Sequence, residues 1–309
     1  MQRPEARVLV TGGSGFIGRE LVRTLCDQSV EVHVIGRSAD SDDRAHFHHC
    51  DLLARDTSLE FIGDLRCTHL AHMAWYTEPG KFWNSPRNLE WVEASLRLVR
   101  AFASGGRSRI IVAGTCAEYD WSSAQLDENK TALAPATLYG AAKASLFHIL
   151  TAAAPTLDYE LAWGRVFIPF GPGEPAEKLL GTLLRTIETR EPAFFSSGIQ
   201  KRDFMYVPEI GRAFARLLFT DINGPVNIAS GTSISVRSFI EQAAEIGNVG
   251  HLINFGKREL QEHEPPSIVA STARLYNEIG FEKEYSLQSA LQQTIEHYQK
   301  RNSSLESQK

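Results

Sequence analysis

Short apolar runs alternate with longer amphipathic segments over the first half of the chain. Residues 6–11 form an apolar run, and residues 19–26 follow with apolar side chains at helical spacing. Four to eight apolar residues predict a buried strand, whereas a period of three to four residues predicts a helix. Further strands are predicted at 30–35, 46–50, 68–75, 109–113 and 159–167, and helices at 89–103 and 139–154. This alternation predicts an α/β fold: a Rossmann-like, doubly wound parallel sheet with helices on both faces.

The alternation weakens after residue 173. Later elements are predicted as helices at 179–188 and 239–246, an extended segment at 194–200, and a return to the main sheet at 224–229. We therefore predict a Rossmann domain over residues 1–168, with a returning segment near 205–230, and a smaller C-terminal substrate-binding domain over 169–309. The tail, residues 300–309, is polar and is predicted to be disordered.

A glycine-rich turn separates the first predicted strand from the first predicted helix. Its glycines, Gly12, Gly15 and Gly18, have the spacing G-x-x-G-x-x-G. Glycine allows a tight turn and a close approach of the backbone to a pyrophosphate, and the following helix directs N–H groups at the anion. A strand, a glycine turn and a helix in this order predict a dinucleotide site, which also includes Phe16 and Ile17.

The end of the second predicted strand indicates which dinucleotide is bound. An acidic residue there would hydrogen-bond a ribose 2′-hydroxyl and favour NAD, whereas an arginine suits a 2′-phosphate. Arg37 stands at this position and favours NADP (NADPH), while Asp40 keeps NAD as the alternative. The remaining cofactor contacts are predicted at later strands: Asp51 and Leu52 near the adenine, and Ala71, whose small side chain lets the backbone approach the cofactor.

Tyr139 and Lys143 stand one helical turn apart on a predicted helix, so their side chains share a face. The unperturbed pKa of tyrosine is about 10, and roughly 4 kcal/mol of preference for the phenolate would bring it near 7. A nearby ammonium supplies a favourable charge of this kind. The pair therefore predicts an acid/base unit that transfers a proton to or from an oxygen.

Composition and charge narrow the class of protein. The formal net charge is −5, which gives no electrostatic basis for binding nucleic acid. The four cysteines are widely spaced, as in a reducing compartment. No apolar run approaches the length of a membrane span and no secretory signal is present, so we expect a soluble, cytoplasmic protein. The histidines at 46–49 lack a second ligand cluster, so no metal site is predicted.

Together these motifs resemble the extended short-chain dehydrogenases/reductases of the nucleotide-sugar epimerase/dehydratase/reductase group. The resemblance covers nearly the whole chain and rests first on the glycine turn, on Thr115, and on the Tyr-x-x-x-Lys pair of Tyr139 and Lys143. Later segments also match: 165–167 (Arg-Val-Phe), 170–172 (Phe-Gly-Pro), 202–207 (Arg-Asp-Phe-Met-Tyr-Val) and 226–231 (Val-Asn-Ile-Ala-Ser-Gly).

The resemblance implies roles for individual residues. Tyr139 would be the acid/base, Lys143 would bind the nicotinamide ribose and tune Tyr139, and Thr115 would hydrogen-bond the reacting oxygen. Arg202 and Arg274 resemble positions that contact the diphosphate of a nucleotide sugar, with a structural ion pair as the alternative for Arg202. A nucleotide-sugar substrate and a homodimer, formed through the helices near 89–103 and 141–153, are implied as well.

Three further side chains have two interpretations each, and a fourth departs from the pattern of relatives. Trp75 either walls the substrate pocket or packs its own aromatic loop, and Lys178 either faces the substrate phosphates or is solvated. Glu118 either assists as a second acid/base or sugar contact, or is a loop carboxylate. Trp91 falls near a position where relatives carry asparagine, and this departure is expected to alter the packing beneath Lys143.

The resemblance leaves several activities to compare. A 4,6-dehydratase carries Asp-Glu directly after its catalytic threonine, whereas Cys116 and Ala117 stand here and cannot act as that acid and base. A redox-neutral 4-epimerase retains NAD. A ketoreductase needs only the threonine, tyrosine and lysine with a dissociable NADPH. We therefore predict reduction of the 4-keto group of a nucleoside-diphosphate 4-keto-6-deoxy sugar; the alternatives are the 4-epimerase, then the dehydratase, and last a non-catalytic NADP-binding regulator.

Overall fold

The structure is a computed structural model that describes residues 6–106, 108–259 and 264–306, with side chains to residue 301. The strands are β1 (Arg7–Thr11), β2 (Glu31–Gly36), β3 (His46–His49), β4 (His69–His72), β5 (Ser108–Thr115), β6 (Tyr159–Val166), β7 (Ile168–Phe170), β8 (Ala193–Phe194), β9 (Lys201–Arg202), β10 (Phe204–Tyr206), β11 (Gly224–Ile228), β12 (Ile234–Ser235), β13 (Ile253–Asn254) and β14 (Ser267–Ile268). The helices are α1 (Gly18–Asp27), α2 (Phe61–Asp64), α3 (Arg87–Ala103), α4 (Leu138–Leu157), α5 (Leu179–Thr189), α6 (Val207–Leu218), α7 (Val236–Ile246) and α8 (Leu287–Glu306). Short helical turns lie at Cys116–Glu118, Gly250–Leu252 and Arg274–Glu278.

The central sheet contains seven parallel strands within the described residues, in the order β3-β2-β1-β4-β5-β6-β11. The order of the strands reverses between β1 and β4, as it does in doubly wound sheets. The longest pairing joins β5 and β6 from Ser108 and Tyr159 to Thr115 and Val166. Because the strands are parallel, their carboxyl ends meet at one edge, and the predicted Rossmann-like fold class is confirmed.

Both faces of the sheet are covered, and alternate residues of each strand enter different cores. Val8 and Val10 of β1 pack with α1 and α6, whereas Leu9 packs on the opposite face with α3 and α4. Every residue of β5 is buried. Its apolar run at residues 110–113 is the pattern expected of a parallel strand between two helical layers.

The C-terminal part of the chain forms a second core. Helices α5, α7 and α8 pack around aromatic side chains, among them Phe170, Phe204 and Phe239. The rings of Phe204 and Phe239 stack with their centroids 3.9 Å apart. Small sheets of two and three strands, β10-β7, β13-β8 and β12-β9-β14, border this core. The strand β11 instead joins the central sheet beside β6.

The tail is predicted to be disordered from residue 300, whereas α8 continues to Glu306. Once a helix has formed, each further residue adds one hydrogen bond without a new nucleation cost, so polar composition alone does not end it. Residues 307–309 lie outside the described part of the chain. In the described ranges, no helix has both the length and the apolar character that a bilayer crossing requires.

Candidate active site

The carboxyl ends of β1, β4 and β5 bring the predicted catalytic and cofactor residues to one edge of the sheet. Thr115 is the last residue of β5, and its side-chain oxygen accepts a hydrogen bond from the backbone N–H of Ala117 at 3.2 Å. Helix α4 begins beside this turn and carries Tyr139 in its first turn. The structure therefore places Thr115 next to the predicted Tyr-x-x-x-Lys pair.

Tyr139 is 9% exposed and has aromatic neighbours on one side. The rings of Phe82 and Trp83 stand edge-on to it, with centroids 4.9 and 5.9 Å away. Burial raises the pKa of Tyr139 well above its ordinary value, and a hydrogen bond with the Thr115 side chain lowers it in part. In this state the phenol keeps its proton and is therefore a proton donor rather than a base.

A glycine lets α4 approach the turn after β5. A Cβ atom on Gly140 would lie 2.2 Å from the carbonyl oxygen of Ala117, a distance that real Cβ atoms do not reach. The side chain of Thr137 caps the helix by accepting a hydrogen bond from the Gly140 N–H at 3.2 Å. The cap and the missing side chain together fix Tyr139 against Thr115.

Lys143 is 2% exposed and lies on the inner face of α4. Its ammonium donates a hydrogen bond to the carbonyl oxygen of Ala113 at 2.6 Å, and it stands 3.8 Å from the ring centroid of Trp75. Burial lowers the pKa of Lys143 to about 7, and the nearby carboxylate of Glu118 opposes this shift. The ammonium is therefore close to its titration point at neutral pH.

Glu118 is fully buried and supports Thr115 through a hydrogen bond, in line with its alternative interpretation as a loop carboxylate. One oxygen accepts a hydrogen bond from the Thr115 N–H at 2.8 Å, and the other pairs with Arg165 at 2.7 Å. Trp163 also donates its indole N–H to this carboxylate. Thr115 and Glu118 form a capping box, so the Thr-x-x-Glu spacing was the sequence signal for this structural role.

Trp75 follows β4, and its ring packs among other side chains of the chain, as in its alternative interpretation, while its substrate contact stays a prediction. Its indole N–H donates to the Oδ1 atom of Asn88 at 2.9 Å, and its ring stacks on Trp91 at 6.1 Å between centroids. Asn88, on α3, is fully buried and was not identified from the sequence. Trp91 supports the ring that Lys143 contacts, and its effect on the packing beneath Lys143 relative to other family members stays a prediction.

The glycine turn has the shape that a pyrophosphate requires. Gly12 has a φ of 69°, and a Cβ atom there would come within 2.7 Å of the Ala74 backbone nitrogen. Helix α1 begins at Gly18, and no side chain among the described residues hydrogen-bonds at its cap. The first backbone N–H groups of the helix can therefore bind an anion. Phe16 and Ile17 are half-buried in this turn. These residues fit a bound dinucleotide.

The other predicted cofactor residues lie just beyond β2 and β3 or within β4. Arg37 is exposed just beyond β2, and Asp51 accepts a hydrogen bond from the Leu53 N–H at 3.0 Å. Leu52 is buried, with its carbonyl oxygen held by Arg97 at 2.6 Å. Ala71 is fully buried within β4, before the edge of the sheet, and its cofactor contact stays a prediction. Ala74 is the small residue that packs against Gly12.

The three predicted phosphate-binding cations lie in different surroundings. Arg202 is 7% exposed and pairs with Glu264 at 2.7 Å, as in the alternative interpretation of an ion pair. Lys178 stands 5.3 Å from the ring centroid of Phe16, so it faces the glycine turn. Burial lowers the pKa of Lys178, and Glu174 opposes the shift.

Arg274 lies at the edge of the sheet opposite the catalytic residues, so its position does not support the predicted diphosphate contact. Its guanidinium donates to the backbone carbonyl oxygens of Asn223 and Pro225. Both carbonyls lie at the amino end of β11, whereas the catalytic residues lie at the carboxyl ends of the strands. The helical turn that begins at Arg274 directs the side chain to the opposite edge of the sheet, and its Nε atom also pairs with Glu278 at 3.0 Å.

A buried histidine network joins β1, β4 and α3. The Nδ1 atom of His72 lies 2.7 Å from the Thr11 hydroxyl, and its Nε2 atom lies 2.8 Å from the Ser95 hydroxyl. Burial lowers the pKa of His72 to about 3, so the ring is neutral. No sequence spacing links these three residues, because β1, β4 and α3 meet only in the folded chain.

A family model described as "NAD dependent epimerase/dehydratase family" matches residues 8–229. The chain belongs to this family. Of its relatives in the epimerase/dehydratase family, a dTDP-6-deoxy-L-talose 4-dehydrogenase (NAD(+)) from Aggregatibacter actinomycetemcomitans is 24% identical over 243 residues, 76% of this chain and 88% of the relative. A UDP-glucose 4-epimerase from Corynebacterium glutamicum is 23% identical over 305 residues, 91% of this chain and 92% of the relative.

The solved structures of the epimerase/dehydratase family include close matches to the fold. A UDP-N-acetylglucosamine 4-epimerase from Methanobrevibacter ruminantium M1, in complex with UDP-N-acetylmuramic acid, matches with a TM-score of 0.86 and 23% identity. The match covers 97% of this chain and 100% of that chain. At this identity the likeness establishes the fold, and the activity has to be inferred from the site.

Proposed function

We propose that this protein uses NADPH to reduce the 4-keto group of a nucleoside-diphosphate 4-keto-6-deoxy sugar. The proposal is carried by Thr115, Tyr139 and Lys143, which meet beside the glycine turn without an acid and a base directly after the threonine. Cys116 follows Thr115, and burial raises the pKa of its thiol to about 12, so it keeps its proton at neutral pH. Ala117 has no titratable group. Elimination of water therefore lacks the pair of groups it needs.

The residues of the chain can carry out the proton transfer of such a reduction. A bound nicotinamide dinucleotide supplies the hydride to the carbonyl carbon. The Tyr139 hydroxyl gives its proton to the carbonyl oxygen, which becomes the hydroxyl of the product, while Thr115 donates a hydrogen bond to that oxygen. The Lys143 ammonium stabilises the phenolate that Tyr139 becomes.

Substrate and cofactor selection are further parts of the proposal. Arg202 contacts the diphosphate of the nucleotide sugar, in addition to its ion pair with Glu264. Lys178 lies near the glycine turn, and its ammonium contacts the phosphates of the nucleotide-sugar substrate. Arg37 contacts the 2′-phosphate that distinguishes NADPH from NADH. The dTDP-6-deoxy-L-talose 4-dehydrogenase among the relatives supports redox chemistry at carbon 4 of a 6-deoxy sugar, although its name specifies NAD(+).

The first experiment follows the absorbance of reduced nicotinamide with NADPH or NADH and a panel of nucleotide 4-keto-6-deoxy sugars. We expect NADPH oxidation that falls by about 10²–10⁴-fold in Tyr139→Phe, because the proton donor is lost. Tyr298→Phe, which removes a hydroxyl paired with Glu188 on the outside of α8, serves as the control. NADPH binding by Tyr139→Phe, measured by calorimetry, should be retained.

A redox-neutral 4-epimerase is the second candidate, because two of the similar proteins are named as 4-epimerases. It uses the same three residues but keeps its cofactor bound. Purified protein that contains NAD, consumes no NADPH with any substrate and interconverts two nucleotide sugars would replace the reductase with the epimerase. Release of the cofactor during purification, with turnover of added NADPH, would exclude the epimerase.

A further inference from the structure

An aromatic ring lies directly against the catalytic lysine. The Nζ atom of Lys143 is 3.8 Å from the ring centroid of Trp75, well within the distance of about 6 Å at which an ammonium is attracted to an indole face. Trp75 follows β4, whereas Lys143 lies on α4, so the contact joins two elements that meet only in the folded chain. The proposed reaction assigns no role to this tryptophan.

The indole ring is held in place on two sides. Its N–H donates to Asn88 Oδ1, and the amide of Asn88 donates to the carbonyl oxygens of Phe82 and Ser85 at 2.7 and 2.9 Å. Trp91 stacks behind the ring with an interplanar angle of 28°. The fully buried amide of Asn88 therefore fixes the orientation of the indole ring. Donation of the indole N–H also polarises the ring toward a more negative face.

The other groups that face Lys143 give its charge limited support. The carboxylate of Glu118 is already paired with Arg165 at 2.7 Å, and the hydroxyl of Tyr139 carries its proton. His72, from β4, is neutral and neither attracts nor repels strongly. The backbone carbonyl of Ala113 accepts one hydrogen bond from the ammonium. The face of Trp75 adds attraction where burial disfavours the charge.

We propose that Trp75 is a positioning residue for the reaction, and that its indole face holds the Lys143 side chain in place as an ammonium. This role rests on the proposed function, because an ammonium at Lys143 is needed there to stabilise the Tyr139 phenolate. The tryptophan touches neither the reacting atoms nor Tyr139. It acts through Lys143.

The first test measures the pKa of Lys143 in the full chain without cofactor. Lysine labelled with ¹³C at Cε is titrated by NMR, and the Lys143 signal is assigned by its loss in Lys143→Met. We expect Trp75→Leu to lower the pKa of Lys143 by about one unit, and Trp75→Phe to lower it by less, because phenylalanine keeps a weaker face. Circular dichroism confirms that each variant is folded.

Trp91→Phe is the matched control, since it changes the other ring of the stack but keeps an aromatic ring against Trp75 and removes no contact to Lys143. A role in attracting the cation predicts a clear change for Trp75→Leu and a small one for Trp91→Phe. Equal changes in both variants, or an unchanged pKa in Trp75→Leu, would overturn the proposal and leave Trp75 as packing.

The second test is the pH profile of kcat/KM, measured with the nucleotide sugar that the absorbance assay identifies as a substrate. Activity falls as pH rises through the pKa of Lys143, and in Trp75→Leu this fall should move to lower pH by the same one unit. kcat should decrease while KM for the nucleotide sugar stays within about twofold. If no variant turns over any substrate, the proposed function fails, but the NMR titration still decides the role of Trp75.

Discussion

The charge on Lys143 links one residue to the stability of the whole chain. Burial lowers its pKa to about 7 in the folded protein, whereas an unfolded chain keeps the ordinary value near 10.5. Between these pH values the unfolded state binds more protons than the folded state. The free energy of unfolding therefore rises with pH across this window, by the linkage of proton binding to folding.

This linkage predicts the behaviour of Lys143→Met, which has a similar volume and no charge. From pH 6 to pH 9, we expect the wild-type protein to gain about 3 kcal/mol of stability relative to this variant. Urea unfolding at both pH values measures the difference. Lys130→Met, at an exposed position, should show no such change. Parallel pH dependence of Lys143→Met and wild type would mean that Lys143 is not titrating in this range.

At the scale of single residues, the sequence predicts the position of some site residues and not of others. Tyr139, Lys143 and Thr115 could be predicted because helical spacing and strand ends fix them. Trp75 could not, since it lies beyond the end of β4, where no periodicity tells which way a side chain points. Arg274 was placed by resemblance alone, and the local turn sends its guanidinium to the other edge of the sheet.

Among the elements, α4 depends most on a close contact. Its first turn presses against the turn at Cys116–Glu118, and the backbone there is held by the buried pair of Glu118 and Arg165. The boundaries of α4 and of the sheet strands were largely predictable, because each combines a long apolar pattern with recognisable end signals. The contact between α4 and the turn at Cys116–Glu118 could not be predicted from the sequence, because it depends on the distance between two elements.

Gly140→Ala tests this contact. The added methyl group would overlap the carbonyl oxygen of Ala117, so α4 must shift and separate Tyr139 from Thr115. A shift of about 1 Å is expected to lower kcat/KM by roughly 100-fold. Alanine otherwise favours helix, so a loss of activity without a comparable loss of helical content identifies the shift. Ser145→Ala, exposed on the same helix, should keep full activity.

For the whole molecule, the predicted homodimer has a candidate surface. Helices α3 and α4 pack together, and Leu89 and Ile149 are 59% and 46% exposed on them. Light scattering after size exclusion should give a dimer for the wild type and a monomer for the double variant Leu89→Glu, Ile149→Glu. The control is Ile199→Glu, which changes a residue that is 70% exposed elsewhere. A wild-type monomer, or a dimer that survives the double change, would contradict this interface.

The position of β11 has a consequence for synthesis of the chain. β6 ends at Val166, but its partner at the edge of the sheet begins only at Gly224. A ribosome therefore makes much of the smaller C-terminal core before this edge can be covered. Throughout that time the nascent chain presents an open row of backbone donors and acceptors to other strands. Aggregation during expression is thus favoured by anything that delays translation between these two strands.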